Sequence, residues 1–127
     1  MLVGCGNMGY ALLKSWITSS VVDASSIYVV EPMDELRKRA HALGVTAVAN
    51  ATDLPAELSP QIVVLAVKPQ LLANVVADYK FFAPRSAFVS IAAGVPTSVL
   101  RLSLETDRVF RTMPNLPIAV GAGSTVV

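Results

Sequence analysis

The stretch Val3-Gly4-Cys5-Gly6-Asn7-Met8-Gly9-Tyr10 carries GxGxxG without a mismatch, three residues into the chain. No other feature constrains the fold as much. At this spacing each glycine has its own task in a strand-to-helix turn. Gly4 turns the chain tightly, Gly6 lets the backbone approach a pyrophosphate, and Gly9 lets the new helix pack close on the strand. The helix starting near Asn7-Met8 then aims its free N–H groups and its dipole at the phosphates. Alone the motif is weak, because glycine turns are common. It gains meaning only if the rest of the chain alternates strands and helices.

That alternation is present. Residues 8–19 carry Met8, Leu12, Leu13, Trp16 and Ile17 as a helical stripe, and Ile27–Val30 is a compact strand bounded by Ser25-Ser26 and Pro32. Leu36, Ala40 and Leu43 predict a helix over 34–43, with Gly44 as its C-terminal stop. A weak strand over Val45–Val48 precedes a short helix over Thr52–Leu58, begun or interrupted by Pro55. The run Ile62–Val67 reads as a strand stopped by Lys68-Pro69, and a helix follows over roughly Gln70–Tyr79. Ala87–Ile91 is the next strand, 97–104 a helix capped by Thr97, and Arg108–Met113 a strand broken by Pro114 and Pro117. Gly121 and Gly123 between β-branched runs predict a hairpin over Ile118–Val127. The class is α/β: a doubly wound, mainly parallel Rossmann-type sheet with a C-terminal β-hairpin, forming one domain over residues 1–127.

Composition narrows the function. Hydrophobic residues make up 54% of the chain, yet no apolar run approaches the ~18–20 residues of a membrane span. Short apolar blocks such as Ile62–Val67 are what strands covered on both faces look like. A net charge of +1, without a basic stripe interleaved with aromatic residues, argues against nucleic acid. The one dense patch, Arg37-Lys38-Arg39, reads as a solvated helix face. One cysteine, Cys5, excludes an intrachain disulfide and any multi-cysteine metal site, and one histidine, His41, removes most histidine-dependent triads. No metal is expected. The absence of a signal-peptide pattern sets the cytoplasm as the default compartment.

Two further features belong with the glycine loop. Glu31 lies 22 positions after Gly9 and directly follows the second strand. A carboxylate there can accept from ribose hydroxyls and repel a 2′-phosphate, favouring NAD over NADP. Ligands of open α/β sheets bind beyond the carboxyl ends of strands, which Ala66-Val67-Lys68-Pro69-Gln70 and Ile91-Ala92-Ala93-Gly94-Val95 occupy.

VGCGNMG, LAVKPQ, SIAAGV and RTMPNLP, in this order and followed by GAGSTVV, resemble pyrroline-5-carboxylate reductase over essentially the whole chain. The resemblance implies hydride transfer from NADH or NADPH to 1-pyrroline-5-carboxylate, the small-molecule substrate, giving proline. By motif match Gly4, Cys5, Gly6, Asn7 and Met8 would cradle the pyrophosphate. Glu31 would stand at the adenine ribose and Asn50 near the adenosine. Ala66, Lys68 and Pro69 would line the nicotinamide ribose, with Ala93 below the ring. Met113, Pro114 and Asn115 would border the substrate cleft, and no residue of the chain is assigned as catalytic. Glu31 departs from the asparagine-arginine or serine types more usual in the family, and Leu116 replaces a threonine. The family also implies a C-terminal helical domain through which subunits associate as a homo-oligomer, and a longer lead strand than three residues, so the chain reads as a fragment. The competing readings are a nucleotide-binding module without activity of its own and another Rossmann-domain reductase. Of the latter, the hydroxyacid dehydrogenase group would not be expected to combine AVKPQ with MPN-P.

Overall fold

A computed structural model describes residues 1–114 and 125–126. The strands in chain order are β1 Leu2–Val3, β2 Tyr28–Val30, β3 Thr46–Val48, β4 Ile62–Leu65, β5 Ala87–Ser90, β6 Val109–Arg111, β7 Met113–Pro114 and β8 Thr125–Val126. The α-helices are α1 Asn7–Thr18, α2 Asp34–His41, α3 Pro69–Val75 and α4 Thr97–Leu104. β1 to β6 form one sheet in the order β3-β2-β1-β4-β5-β6, and every pairing in it is parallel. β1, only two residues long, is central: Leu2 and Val3 pair with Val29 and Val30 on one side and with Val64 and Leu65 on the other. The chain therefore builds outward from β1 in one direction and then restarts at β4 in the other. All six carboxyl ends share one edge, and the order reverses between β1 and β4, where such sheets bind ligands.

The strands alternate their side chains between two apolar layers, as a period of two requires. Val3, Val30, Val63, Leu65 and Phe88 join Leu72, Val76, Tyr79, Phe82, Leu100 and Leu104 in one core. Leu2, Val29 and Val64 face the opposite way, against Leu12, Leu13 and Ala40 of α1 and α2. Helices thus cover both faces, and the sequence's continuous apolar strand runs follow from that.

Local departures from the sequence reading have clear causes. Thr52–Leu58 is not a helix: one 3-10 turn, Ala51–Asp53, ends at Leu54. Leu54 precedes Pro55 and is extended at ψ 148°, because a residue before proline is driven out of the helical region. Beyond Val75 the α-helix tightens into a 3-10 helix over Val76–Phe82. Its buried residues, Val76, Tyr79 and Phe82, recur every three positions, the period at which 3-10 side chains stack. Thr97 is the first helical residue of α4 and not its cap, which is Pro96. α2 stops at His41 with Ala42 as its cap, two residues short of the expected end, and Gly44, at φ +94°, lies in the turn that follows, its N–H donating to the His41 carbonyl at 2.9 Å. Of the C-terminal hairpin, the described part is β7 antiparallel to β8, so its first arm is Met113–Pro114, upstream of the span predicted for it. Gly121 and Gly123 lie outside the described residues.

Candidate functional site

The glycine loop bridges β1 and α1 with little room behind it. Gly4 sits at φ +89°, and a Cβ there would lie 2.8 Å from the Ala66 carbonyl oxygen. A Cβ on Gly9 would lie 2.5 Å from the carbonyl oxygen of Gly4. Gly6 is the opposite case: nothing stands within 4 Å of where its Cβ would be. The loop is therefore packed tight on the sheet side and open on the ligand side. α1 starts at Gly6 with no side-chain cap and no acid in its first turn, which leaves its N–H groups and positive dipole end uncompensated.

The segment after β2 grips this loop. Glu31 is buried, and its Oε1 accepts from the Cys5 N–H at 2.8 Å while Oε2 accepts from the Met33 N–H at 2.9 Å. Arg37 donates through Nη1 to the carbonyls of Glu31 and Pro32, both at 3.1 Å, and through Nη2 to Asp34 Oδ1 at 2.8 Å. Lys38 pairs with the other oxygen of Asp34 at 3.0 Å, and together with Arg37 it holds that carboxyl below the usual range. Arg39 donates to the Cys5 carbonyl at 3.4 Å, and its guanidinium carbon lies 3.9 Å from the centre of the Tyr10 ring. The Arg37-Lys38-Arg39 patch is thus not a uniformly solvated face. Lys38 is exposed, but Arg37 and Arg39 are half-buried and engaged with backbone carbonyls. The Cys5 thiol faces the core, and burial pushes it up to about 11, with Arg39 pulling the other way and Glu31 adding to the rise. A thiol in that state is not a nucleophile.

A cleft of about 830 Å³ opens over the carboxyl ends of β1, β2 and β4. Gly4, Gly6, Glu31, Asn50, Ala66 and Lys68 all line it, so six of the residues singled out from sequence converge on one cavity. Cys5, Asn7, Met8 and Pro69 flank it without lining it. Asn50 is held in place by Asp53, whose Oδ2 accepts from the Asn50 N–H at 3.1 Å and from its Nδ2 at 3.4 Å. Lys68 caps α3, is exposed, and makes no ion pair among the described residues. Ala93, beyond the carboxyl end of β5, and Met113, the first residue of β7, are exposed and outside the cleft. Pro114 belongs to β7, and Asn115 lies outside the described residues. Sequence reasoning missed the apolar wall formed by Leu54, Pro55, Tyr79 and Phe82, and it missed Arg39. The three-residue spacing of Tyr79 and Phe82 was a usable signal for the wall; nothing in the local pattern marked Arg39. Among the described residues there is no metal-binding cluster, and no helix is long and apolar enough to cross a membrane.

The fold and the cleft define a Rossmann-type α/β domain. The family model described as NADP oxidoreductase coenzyme F420-dependent matches residues 1–94, and the chain belongs to this family. It is 37% identical over 128 aligned residues to pyrroline-5-carboxylate reductase of Escherichia coli (strain K12), covering 98% of this chain and 47% of that enzyme. The structure of a pyrroline-5-carboxylate reductase from Coxiella burnetii superposes with a TM-score of 0.85 at 28% identity, over 98% of this chain and 46% of that one. The Plasmodium falciparum pyrroline carboxylate reductase, solved with NADP bound, shares the fold at a TM-score of 0.81 and 22% identity, over 98% of this chain and 45% of that one. The chain spans about half the length of the curated relatives it matches.

Proposed function

We propose that residues 1–127 form the dinucleotide-binding domain of an oxidoreductase that reduces 1-pyrroline-5-carboxylate to proline with NADH or NADPH. The observation that carries this reading is the 37% identity to the Escherichia coli reductase across 98% of the chain. The residues at the cleft suit a dinucleotide: a Cβ at Gly4 or Gly9 would strike backbone, whereas at Gly6 the space is open. In this reading Gly4, Gly6, Asn7 and Met8 present backbone to the pyrophosphate, with Cys5 fixed behind them. Glu31 and Asn50 serve the adenosine, and Ala66, Lys68 and Pro69 the nicotinamide ribose. Ala93 lies beneath the nicotinamide, and Met113, Pro114 and Asn115 border the substrate.

When bound, the dihydronicotinamide supplies the hydride. A protonated imine is already electrophilic, so the chain's own contribution is orientation and exclusion of water, not proton transfer. Glu31 lines the cleft at the end of β2, where a carboxylate repels a 2′-phosphate, and both Arg37 and Lys38 are already paired with Asp34. That favours NADH. The full enzyme is proposed to be a cytoplasmic homo-oligomer built through a helical domain. Because the chain spans about half of its relatives, residues 1–127 alone are proposed to bind dinucleotide without turnover.

The test joins residues 1–127 to the remaining half of the Escherichia coli reductase and measures proline formation from pyrroline-5-carboxylate with each cofactor. NADH-dependent turnover is expected. A folded chimera that binds NADH yet forms no proline with either cofactor ends the reductase reading.

A further inference from the structure

Cys5 occupies the centre of the glycine loop, and both polar atoms of its backbone are held by side chains of opposite charge from the β2–α2 segment. Its N–H donates to Glu31 Oε1 at 2.8 Å, and its carbonyl accepts from Arg39 Nη2 at 3.4 Å. Glu31 reaches back at the same time to the Met33 N–H at 2.9 Å, so the loop is tied to the start of α2. Arg39 enters from behind, its guanidinium lying over the Tyr10 ring at 3.9 Å. Its Nε is buried and has no hydrogen-bond partner among the described residues. Burying an unsatisfied donor is unfavourable, and such a group in a folded protein calls for an explanation beyond packing.

We infer that Arg39 is a positioning residue for the cofactor's pyrophosphate, acting through the Cys5 peptide, with Glu31 as the opposing half of the grip. The inference rests on the nucleotide-binding reading given above. A pyrophosphate is bound by backbone N–H groups whose directions are set before it arrives, and an ordered loop avoids the cost of fixing those directions on binding. Gly4 and Gly6 supply freedom that the loop must lose to become such a cradle. The Glu31–Cys5–Arg39 arrangement removes it at the two peptide units between them, Gly4–Cys5 and Cys5–Gly6. Arg39 does not line the cleft, so its effect on a ligand passes through the loop and through its positive charge behind it.

The role separates from a purely structural one by comparing two probes, adenosine and ADP-ribose, in calorimetric titrations of the protein. Arg39→Met removes the fork and the charge but keeps an apolar stem over Tyr10. It is expected to weaken ADP-ribose about tenfold while adenosine stays within about twofold. Arg39→Lys keeps the charge without the planar fork and should fall between the two. Tyr10→Leu, which alters only the support under the guanidinium, should shift the same ratio less; it provides the reading if Arg39→Met does not fold. ADP-ribose unchanged in these variants, or adenosine and ADP-ribose weakened equally, overturns the inference while leaving nucleotide binding standing. Failure of the unaltered protein to bind either probe overturns the nucleotide reading itself, and the grip with it.

Discussion

The two halves of the sheet's carboxyl edge are built in different ways. Over β1, β2 and β3, charged side chains hold the backbone: Glu31 takes the N–H groups of Cys5 and Met33, Arg37 the carbonyls of Glu31 and Pro32, and Arg39 that of Cys5. Over β5 and β6 the corresponding positions are small or exposed, and the side-chain bond to backbone there is Ser90 Oγ accepting from the Ala92 N–H at 3.2 Å. The first half has walls, and the cleft spans it and the adjoining end of β4. A bound small molecule typically loses most of its surface to its site, and Ala93 and Met113 stand exposed, outside that cleft. The difference teaches a division of labour. One half is walled, while the other is an open floor.

The largest effect tests whether the first half is as rigid as its contacts imply. Gly9→Ala puts a Cβ 2.5 Å from a backbone oxygen that cannot swing aside. The helix must move off the strand, at about 3 kcal/mol or more of stability by analogy with overpacked cores. A displaced loop should also weaken ADP-ribose on the order of a hundredfold. Gly6→Ala is the matched control, because its Cβ meets nothing. Denaturant unfolding should place it within about 0.5 kcal/mol of the unaltered protein, while ADP-ribose still binds less well. Equal stabilities for the two variants would break the picture of a loop packed on one side and open on the other.

Alkaline pH probes the same half through Cys5. Its thiol is raised from 9.0 to about 11 by burial. Between those values the unfolded chain loses the proton that the folded chain keeps, so stability falls as pH rises through this window. The loss is on the order of 2–3 kcal/mol at most, since one pKa unit corresponds to about 1.4 kcal/mol. Urea titrations from pH 8 to 10 should show the decline, and Cys5→Ala should flatten it there; above pH 10 the buried Tyr79 hydroxyl, also raised by burial, adds a decline of the same sign. Alkylation of the native thiol at pH 8 should be slow, limited by opening of the structure.

A smaller change distinguishes Glu31 as a brace from Glu31 as a ribose acceptor. Glu31→Gln keeps the shape but leaves one of the two N–H groups facing an amide donor. The cost is about 1–2 kcal/mol of stability, as for a buried donor left unpaired. ADP-ribose affinity should drop more than adenosine affinity, as for Arg39→Met. If adenosine weakens as much, ribose contact is the main role of Glu31.

The alternating plan was legible because apolar runs on covered strands and helical stripes differ in period, and GxGxxG marked the turn from β1. What stayed hidden depended on contacts between distant segments. Arg39 stands in a charged run that local patterning assigns to solvent, and only the approach of α2 to Tyr10 and Cys5 gives it a place. Glu31 was legible as a strand-end acid, and it lines the cleft, yet nothing local shows that its carboxylate closes on Cys5. The 3-10 stretch Val76–Phe82 was readable in principle, since its buried residues fall every third position. Its continuity with α3 hid the change of period.

The smallest effect concerns the open half. Ala93 is exposed beyond the end of β5, so Ala93→Leu should leave stability within about 0.5 kcal/mol. It should not touch ADP-ribose either, because in the proposed reading that molecule ends at the ribose beside Ala66 and Lys68. If the nicotinamide does lie against Ala93, NADH binding should weaken about threefold to tenfold, a change of about 1 kcal/mol, through loss of the nicotinamide's share of the contact. The comparison of NADH with ADP-ribose in one variant therefore locates the nicotinamide without a bound structure. Should Ala93→Leu weaken both ligands alike, the two halves are coupled, and the division between a gripped half and an open one is wrong. Should it weaken neither, the nicotinamide lies elsewhere along β4 to β6, and Lys68, exposed at the start of α3 on the cleft side, becomes the position to vary next.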